Sequence, residues 1–193
     1  MSHDIRQRSA LQSPDRIGIV IVDHLSKHYQ TVPDSQQTQA IGALLALRDA
    51  LDLPATITRY REKGVKDSRD PIASGGSTIV VTNRQVLDPW EDQGFVNVIA
   101  SWDRATLLVF GRCTEASLTF TVLGALAHGH DCFFVVDAIV WPSSSIESAH
   151  RSRIQQAGGV PVSTRQIILE LLRDWNDLET RARANQIISK FGI

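Results

Sequence analysis

Three short stretches carry side chains able to break and make bonds: Asp23 with His24, Asn83 with Arg84, and the run Gly111-Arg112-Cys113-Thr114-Glu115-Ala116-Ser117. An aspartate can take or give a proton. An arginine offers a permanent, planar cation for a carboxylate or a charged intermediate, and a serine hydroxyl attacks once a base accepts its proton. Ser117 falls in the first turn of a helical segment, where free backbone N–H groups and the positive end of the helix dipole favour developing negative charge. Each residue also has a plainer explanation: Ser117 and Thr114 suit helix capping, Asp23 suits a strand exit, and Arg84 suits a solvated surface. Position sets them apart. Each stretch ends a strand-like run and opens a connection, which is where open α/β sheets gather their ligands.

The elements that must position these groups follow from hydrophobic pattern. Arg16 to Asp23 is a near-continuous β-branched run and reads as a central parallel strand covered on both faces. Ser35 to Leu51 repeats apolar residues at helical spacing before Pro54. Pro54 to Tyr60 and Thr78 to Thr82 read as short strands, and Arg61 to Ser77, with its charges and glycines, as a loop able to cover a site. Asp88-Pro89 opens a predicted helix to about Trp102; Ala105 to Cys113 is a second buried strand, and Thr114 to Gly129 a helix. Asp131 to Val140 is a further strand, a helix capped by Ser143 or Ser144 runs to about Gln156, and Val160 to Ser163 is a short strand. Helices over Arg165 to Trp175 and Leu178 to Phe191 finish the chain. Strands alternating with helices predict an α/β fold, a single doubly wound, mostly parallel sheet with helices on both faces in the Rossmann-like manner.

Composition narrows the partners. A chain of 193 residues suits one domain with a sizeable core. The expected division is an arm over residues 1–15, one domain over 16–175 and a helical extension over 176–193. A formal net charge of −1 with both signs interspersed lacks the basic footprint that nucleic acid or anionic membranes require, so a small-molecule substrate is expected. No apolar run is long enough to span a bilayer and the first sixteen residues do not read as a signal peptide, which predicts a cytoplasmic protein. Cys113 and Cys132, the two cysteines, sit in apolar runs and read as buried thiols. The six histidines show no metal-ligand spacing, and Gly75-Gly76 lacks the lysine of a phosphate loop, so neither metal nor cofactor is expected. The four tryptophans read as core or interface residues.

Together these segments resemble the isochorismatase-like family, or cysteine hydrolase superfamily, over about Arg16 to Trp175. The residues that carry the resemblance are Val22-Asp23-His24, Leu53-Pro54-Ala55-Thr56, Asp88-Pro89-Trp90-Glu91 followed by Phe95, the run Gly111 to Ser117, and Cys132-Phe133-Phe134-Val135-Val136-Asp137-Ala138. Within the family the chain is similar to small oligomeric hydrolases of unassigned substrate, which end in a sequence like Arg173-Asp174-Trp175. The resemblance implies a homo-oligomer and a role for each site residue. Asp23 stands at the acid/base position, Arg84 at that of the cation, or Asn83 with a one-residue shift, and Ser117 at that of the nucleophile, where cysteine-using relatives carry the thiol. Cys113-Thr114 stands at a cis peptide beside the oxyanion hole, and His24, Asn83 and Trp90 stand near the substrate. Serine changes the chemistry, because a hydroxyl is far less acidic than a thiol. Three outcomes follow: hydrolysis of an amide or ester through Ser117, vinyl-ether hydrolysis of the isochorismatase type with Asp23 as general acid, or a catalytically silent metabolite-binding relative.

Overall fold

The computed structural model describes residues 11–24, 35–61, 79–112 and 114–193. Most of the loop expected over Arg61 to Ser77, the residue Cys113 and most of the expected N-terminal arm lie outside them. Six strands form one sheet: β1 (Ile17–Val22), β2 (Ala55–Tyr60), β3 (Val80–Arg84), β4 (Thr106–Gly111), β5 (Asp131–Ile139) and β6 (Val160–Val162). Six helices accompany them: α1 (Ser35–Leu51), α2 (Gln93–Ala100), α3 (Ser117–Ala127), α4 (Ser144–Gln156), α5 (Thr164–Leu171) and α6 (Leu178–Phe191). The strands lie in the order β3-β2-β1-β4-β5-β6, and every pairing is parallel.

Every residue of β1 and β4 is buried, as continuous apolar runs in a sheet covered on both sides require. Helices α1, α5 and α6 pack on one face and α2, α3 and α4 on the other. The order places β1 and β4 side by side where the chain reverses its progress across the sheet. From β1 it moves out through β2 to β3, then returns to the other flank for β4, β5 and β6. The connections leaving β1 and β4 therefore diverge, and the crevice between them at the carboxyl ends is the natural ligand site of such a sheet.

Register makes this crevice tight. Val22 lies opposite Thr58 on one side and Gly111 on the other. Gly111 has φ +131°, and a Cβ there would come 2.2 Å from the carbonyl oxygen of Val22, so only glycine lets β4 run this close to β1.

Several elements differ from the sequence-based reading. The helix expected from Asp88 to Trp102 is two pieces: Asp88 caps a 3-10 turn over Pro89–Glu91, and Asp92 then caps α2 by accepting from the Phe95 N–H. The strand expected to stop at Thr82 continues to Arg84, so Asn83 and Arg84 belong to β3 itself. The helix expected from Thr114 starts at Ser117, with Ala116 as its N-cap and no side-chain cap, so neither Thr114 nor Ser117 caps it. α5 stops at Leu171, short of Trp175. In α6, Ala184 and Ile187 are buried and Phe191 packs over Gly42 of α1. Gly42 presents no side chain and opens a slot for that ring. Leu178, at the start of α6, remains 67% exposed.

Candidate active site

Asp23 directly follows β1. Its φ of +47° lies in the left-handed region, which aspartate tolerates better than most residues, and its N–H donates to the Thr58 carbonyl at 2.9 Å. This turn swings the carboxylate towards β2 and β3 instead of along the strand. There Oδ1 accepts the Tyr60 backbone N–H at 2.6 Å and Oδ2 accepts Nη2 of Arg84 at 2.7 Å. Arg84, the last residue of β3, also donates from Nε to Thr58 Oγ1 at 3.2 Å and from Nη1 to the Val86 carbonyl at 2.8 Å. Both side chains are fully enclosed, at 1% and 0% exposure. Such charges tolerate burial only when paired and hydrogen-bonded; here each guanidinium nitrogen of Arg84 has an acceptor and each carboxylate oxygen of Asp23 has a donor.

Alternation along β3 decides between its two polar residues. Asn83 and Arg84 point to opposite faces, as neighbours on a strand must. Asn83 is exposed and accepts a hydrogen bond from Arg59 at 3.1 Å, while Arg84 turns inward to Asp23. Arg84 is thus the cation paired with the acid.

Ser117 opens α3 across the crevice. Its carbonyl accepts the Thr121 hydroxyl at 2.6 Å, but its own Oγ is fully buried and, among the described residues, hydrogen-bonds to nothing. Acid and hydroxyl lie on adjoining connections without a direct bond. Ala116, the N-cap, has no side chain able to cap α3, and a helix start of this kind can present its first-turn N–H groups to an anion or a developing oxyanion. Thr114 is buried, and its carbonyl accepts the Thr119 hydroxyl at 2.5 Å, which braces the turn leading into the helix.

The remaining expected residues divide. His24 is half-buried beside Asp23. Trp90 packs elsewhere: its indole N–H donates to the Thr121 carbonyl at 2.9 Å, its ring lies over Gly124, and it stacks on His128 with centroids 4.3 Å apart. Gly124 lies two turns from Ser117, about 10 Å along the helix, so Trp90 locks the 3-10 turn onto α3 at a distance from the crevice. Cys113, and with it the expected cis bond, lies outside the described residues. Cys132 is a buried free thiol whose pKa burial pushes far up, so it is inert as a nucleophile. Among the described residues no three histidine, cysteine, aspartate or glutamate side chains gather as a metal site.

Two contributors were not singled out in advance, and a third, Arg112, was named only as a member of its run. Thr58 holds both partners, through its carbonyl to Asp23 and its hydroxyl to Arg84, and Tyr60 contributes only its backbone N–H. Their signal in the sequence is slight, a strand end in register with Val22. Arg112 directly follows β4; its N–H donates to the Val22 carbonyl at 2.8 Å and the residue is 9% exposed.

Comparison with known proteins agrees with this architecture. The probable hydrolase YcaC of Escherichia coli is 27% identical over 167 residues, covering 83% of this chain and 80% of its own. The crystal structure of the Escherichia coli YcaC gene product, an octameric hydrolase of unknown specificity, superposes with a TM-score of 0.82 at 22% identity, covering 94% of this chain and 93% of that one. YcaC from Pseudomonas aeruginosa, solved with hexane-2,5-diol and covalent acrylamide, gives 0.77 at 23% identity, covering 96% and 98%. Residues 57–166, more than half of the chain and inclusive of Arg84, Arg112 and Ser117, match the isochorismatase domain. The six-stranded parallel sheet, its helical layers and this match together make the chain a member of the isochorismatase-like hydrolase family.

Proposed function

We propose that the chain hydrolyses a small amide, ester or related C–N or C–O bond, with Asp23 as acid/base, Arg84 as its fixed counter-charge and Ser117 as nucleophile. The observation that carries this reading is the fully enclosed Asp23–Arg84 pair at the end of β1, together with a buried Ser117 hydroxyl, on the connection from the neighbouring β4, that has no hydrogen-bond partner among the described residues. In the first step Ser117 Oγ gives its proton to Asp23 and bonds to the carbonyl carbon. The oxyanion is held by N–H groups at the start of α3, and the leaving group departs with the proton from Asp23. Water then attacks the acyl-serine, losing a proton to Asp23, and Ser117 leaves reprotonated. Arg84 stays bonded to Asp23 throughout and fixes its orientation.

A serine-directed fluorophosphonate tests this. Labelling at Ser117 that disappears in Asp23→Asn supports the covalent route; no labelling of a protein that turns over substrate removes it. A second reading draws on the missing bond between Asp23 and Ser117: Asp23 protonates a vinyl ether and water adds without a covalent intermediate. Isochorismate turnover that survives Ser117→Ala would select that route. The octameric YcaC structure supports a homo-oligomer here too, testable by light scattering, and no described helix is long and apolar enough to cross a membrane. A cytoplasmic setting and a small-molecule substrate accord with this reading.

A further inference from the structure

Asp23 and Arg84 neutralise each other, whereas Arg112 has no counter-charge among the described residues. The residue is nine-tenths buried, yet among the described residues its guanidinium pairs with no carboxylate and its Nε has no hydrogen-bond partner. Burial lowers its pKa. A largely buried guanidinium whose Nε meets no acceptor is costly to hold, and an anionic ligand would offset that cost. Its place is specific. Arg112 is hydrogen-bonded through its backbone to Val22, one residue before Asp23, and it begins the connection that delivers Ser117 and the uncapped start of α3.

We propose that Arg112 is the anion subsite of this crevice and selects substrates that carry a carboxylate beside the bond to be cut. This rests on the crevice being the active site, as read above, but not on Ser117 being the nucleophile. A guanidinium presents a planar fork of donors that fits a carboxylate with two parallel bonds, which would orient the substrate as well as hold it. The substrate class is therefore a small anionic amide, ester or ether, with neutral analogues excluded.

The test uses binding and stability, not turnover. Benzoate and its neutral counterpart benzamide are titrated against the intact protein by NMR, and against Arg112→Met and Arg112→Gln. The expected result is benzoate binding weakened about tenfold or more in both variants, with benzamide unaffected by either substitution. Both variants should also melt above the parent in the absence of ligand while keeping its assembly state, because an unpaired buried charge has been removed. Equal benzoate binding in parent and variants overturns the proposal. So does a lower melting temperature or an altered oligomer, since the charge would then already be met within the protein. Loss of serine labelling with this pattern intact would overturn the covalent chemistry alone.

Discussion

Asp23 and Arg84 stand 61 residues apart in the chain and meet at 2.7 Å through Oδ2 and Nη2, with almost no exposure to solvent. The contact spans three neighbouring strands, and Thr58 of the middle one bonds to both residues. Acid and cation are therefore a single rigid unit. Replacing Asp23 by alanine strands a buried guanidinium and should lower unfolding free energy by about 3–5 kcal/mol. Urea denaturation of Asp23→Ala beside Arg84→Met measures it, and the double variant should lose far less than the sum of the two. Additive losses would show that the two groups act separately.

Ser117 offers the opposite expectation. Its hydroxyl is buried without a partner among the described residues, so Ser117→Ala should leave thermal stability unchanged or slightly raised, while turnover collapses if the serine attacks. A helix-capping serine would instead lose about 1 kcal/mol on the same change. Differential scanning calorimetry with an ester assay separates the two.

At Gly111 the backbone has φ +131° and no room for a Cβ beside the Val22 carbonyl. Gly111→Ala must either strain that residue or push β4 from β1, and should destabilise the protein by at least about 2 kcal/mol. Because Asp23 and Arg112 both follow these strand ends, activity should drop with stability. A melting curve within a degree of the parent would contradict the close packing.

Trp90 was expected near the substrate and instead anchors the 3-10 turn to α3. Trp90→Phe removes the donor to the Thr121 carbonyl and should destabilise by about 1–3 kcal/mol. Neither kcat nor KM should move in the surviving folded enzyme. A selective rise in KM would return Trp90 to the substrate site.

His130 supplies a pH dependence. Burial lowers its pKa, against a smaller upward effect of the hydrogen bond to the Arg104 carbonyl, so the fold prefers the neutral ring. The unfolded chain then binds the proton more readily, and stability is complete above the ordinary histidine pKa and declines as pH falls from there towards the lower folded value. His130→Asn should flatten the stability profile across that window, read by urea unfolding at stepped pH. An unchanged slope would assign the effect to other groups.

Much of this was legible from residue order. The β-branched runs at Ile17–Val22 and Thr106–Gly111 announce buried parallel strands, since only a sheet covered on both faces buries every side chain of a strand. The Gly111 to Ser117 stretch likewise announces a strand-to-helix junction, so the fold class and the neighbourhood of the candidate site are legible without coordinates. Capping was less legible, because Asp88 and Asp92 each fit a helix start and only the backbone path shows that both are used.

Sequence by itself determined which residue types lie at the carboxyl rim, because strand periodicity and local turn chemistry act over a few residues. Tertiary structure alone decided which of them meet. Whether Asn83 or Arg84 faces Asp23 depends on the pleat of β3 in a shared register, and whether Arg112 has a counter-charge depends on every element packed around it. Pairing of buried charges is a property of positions brought together across strands, where distance and desolvation, not order along the chain, set the energy.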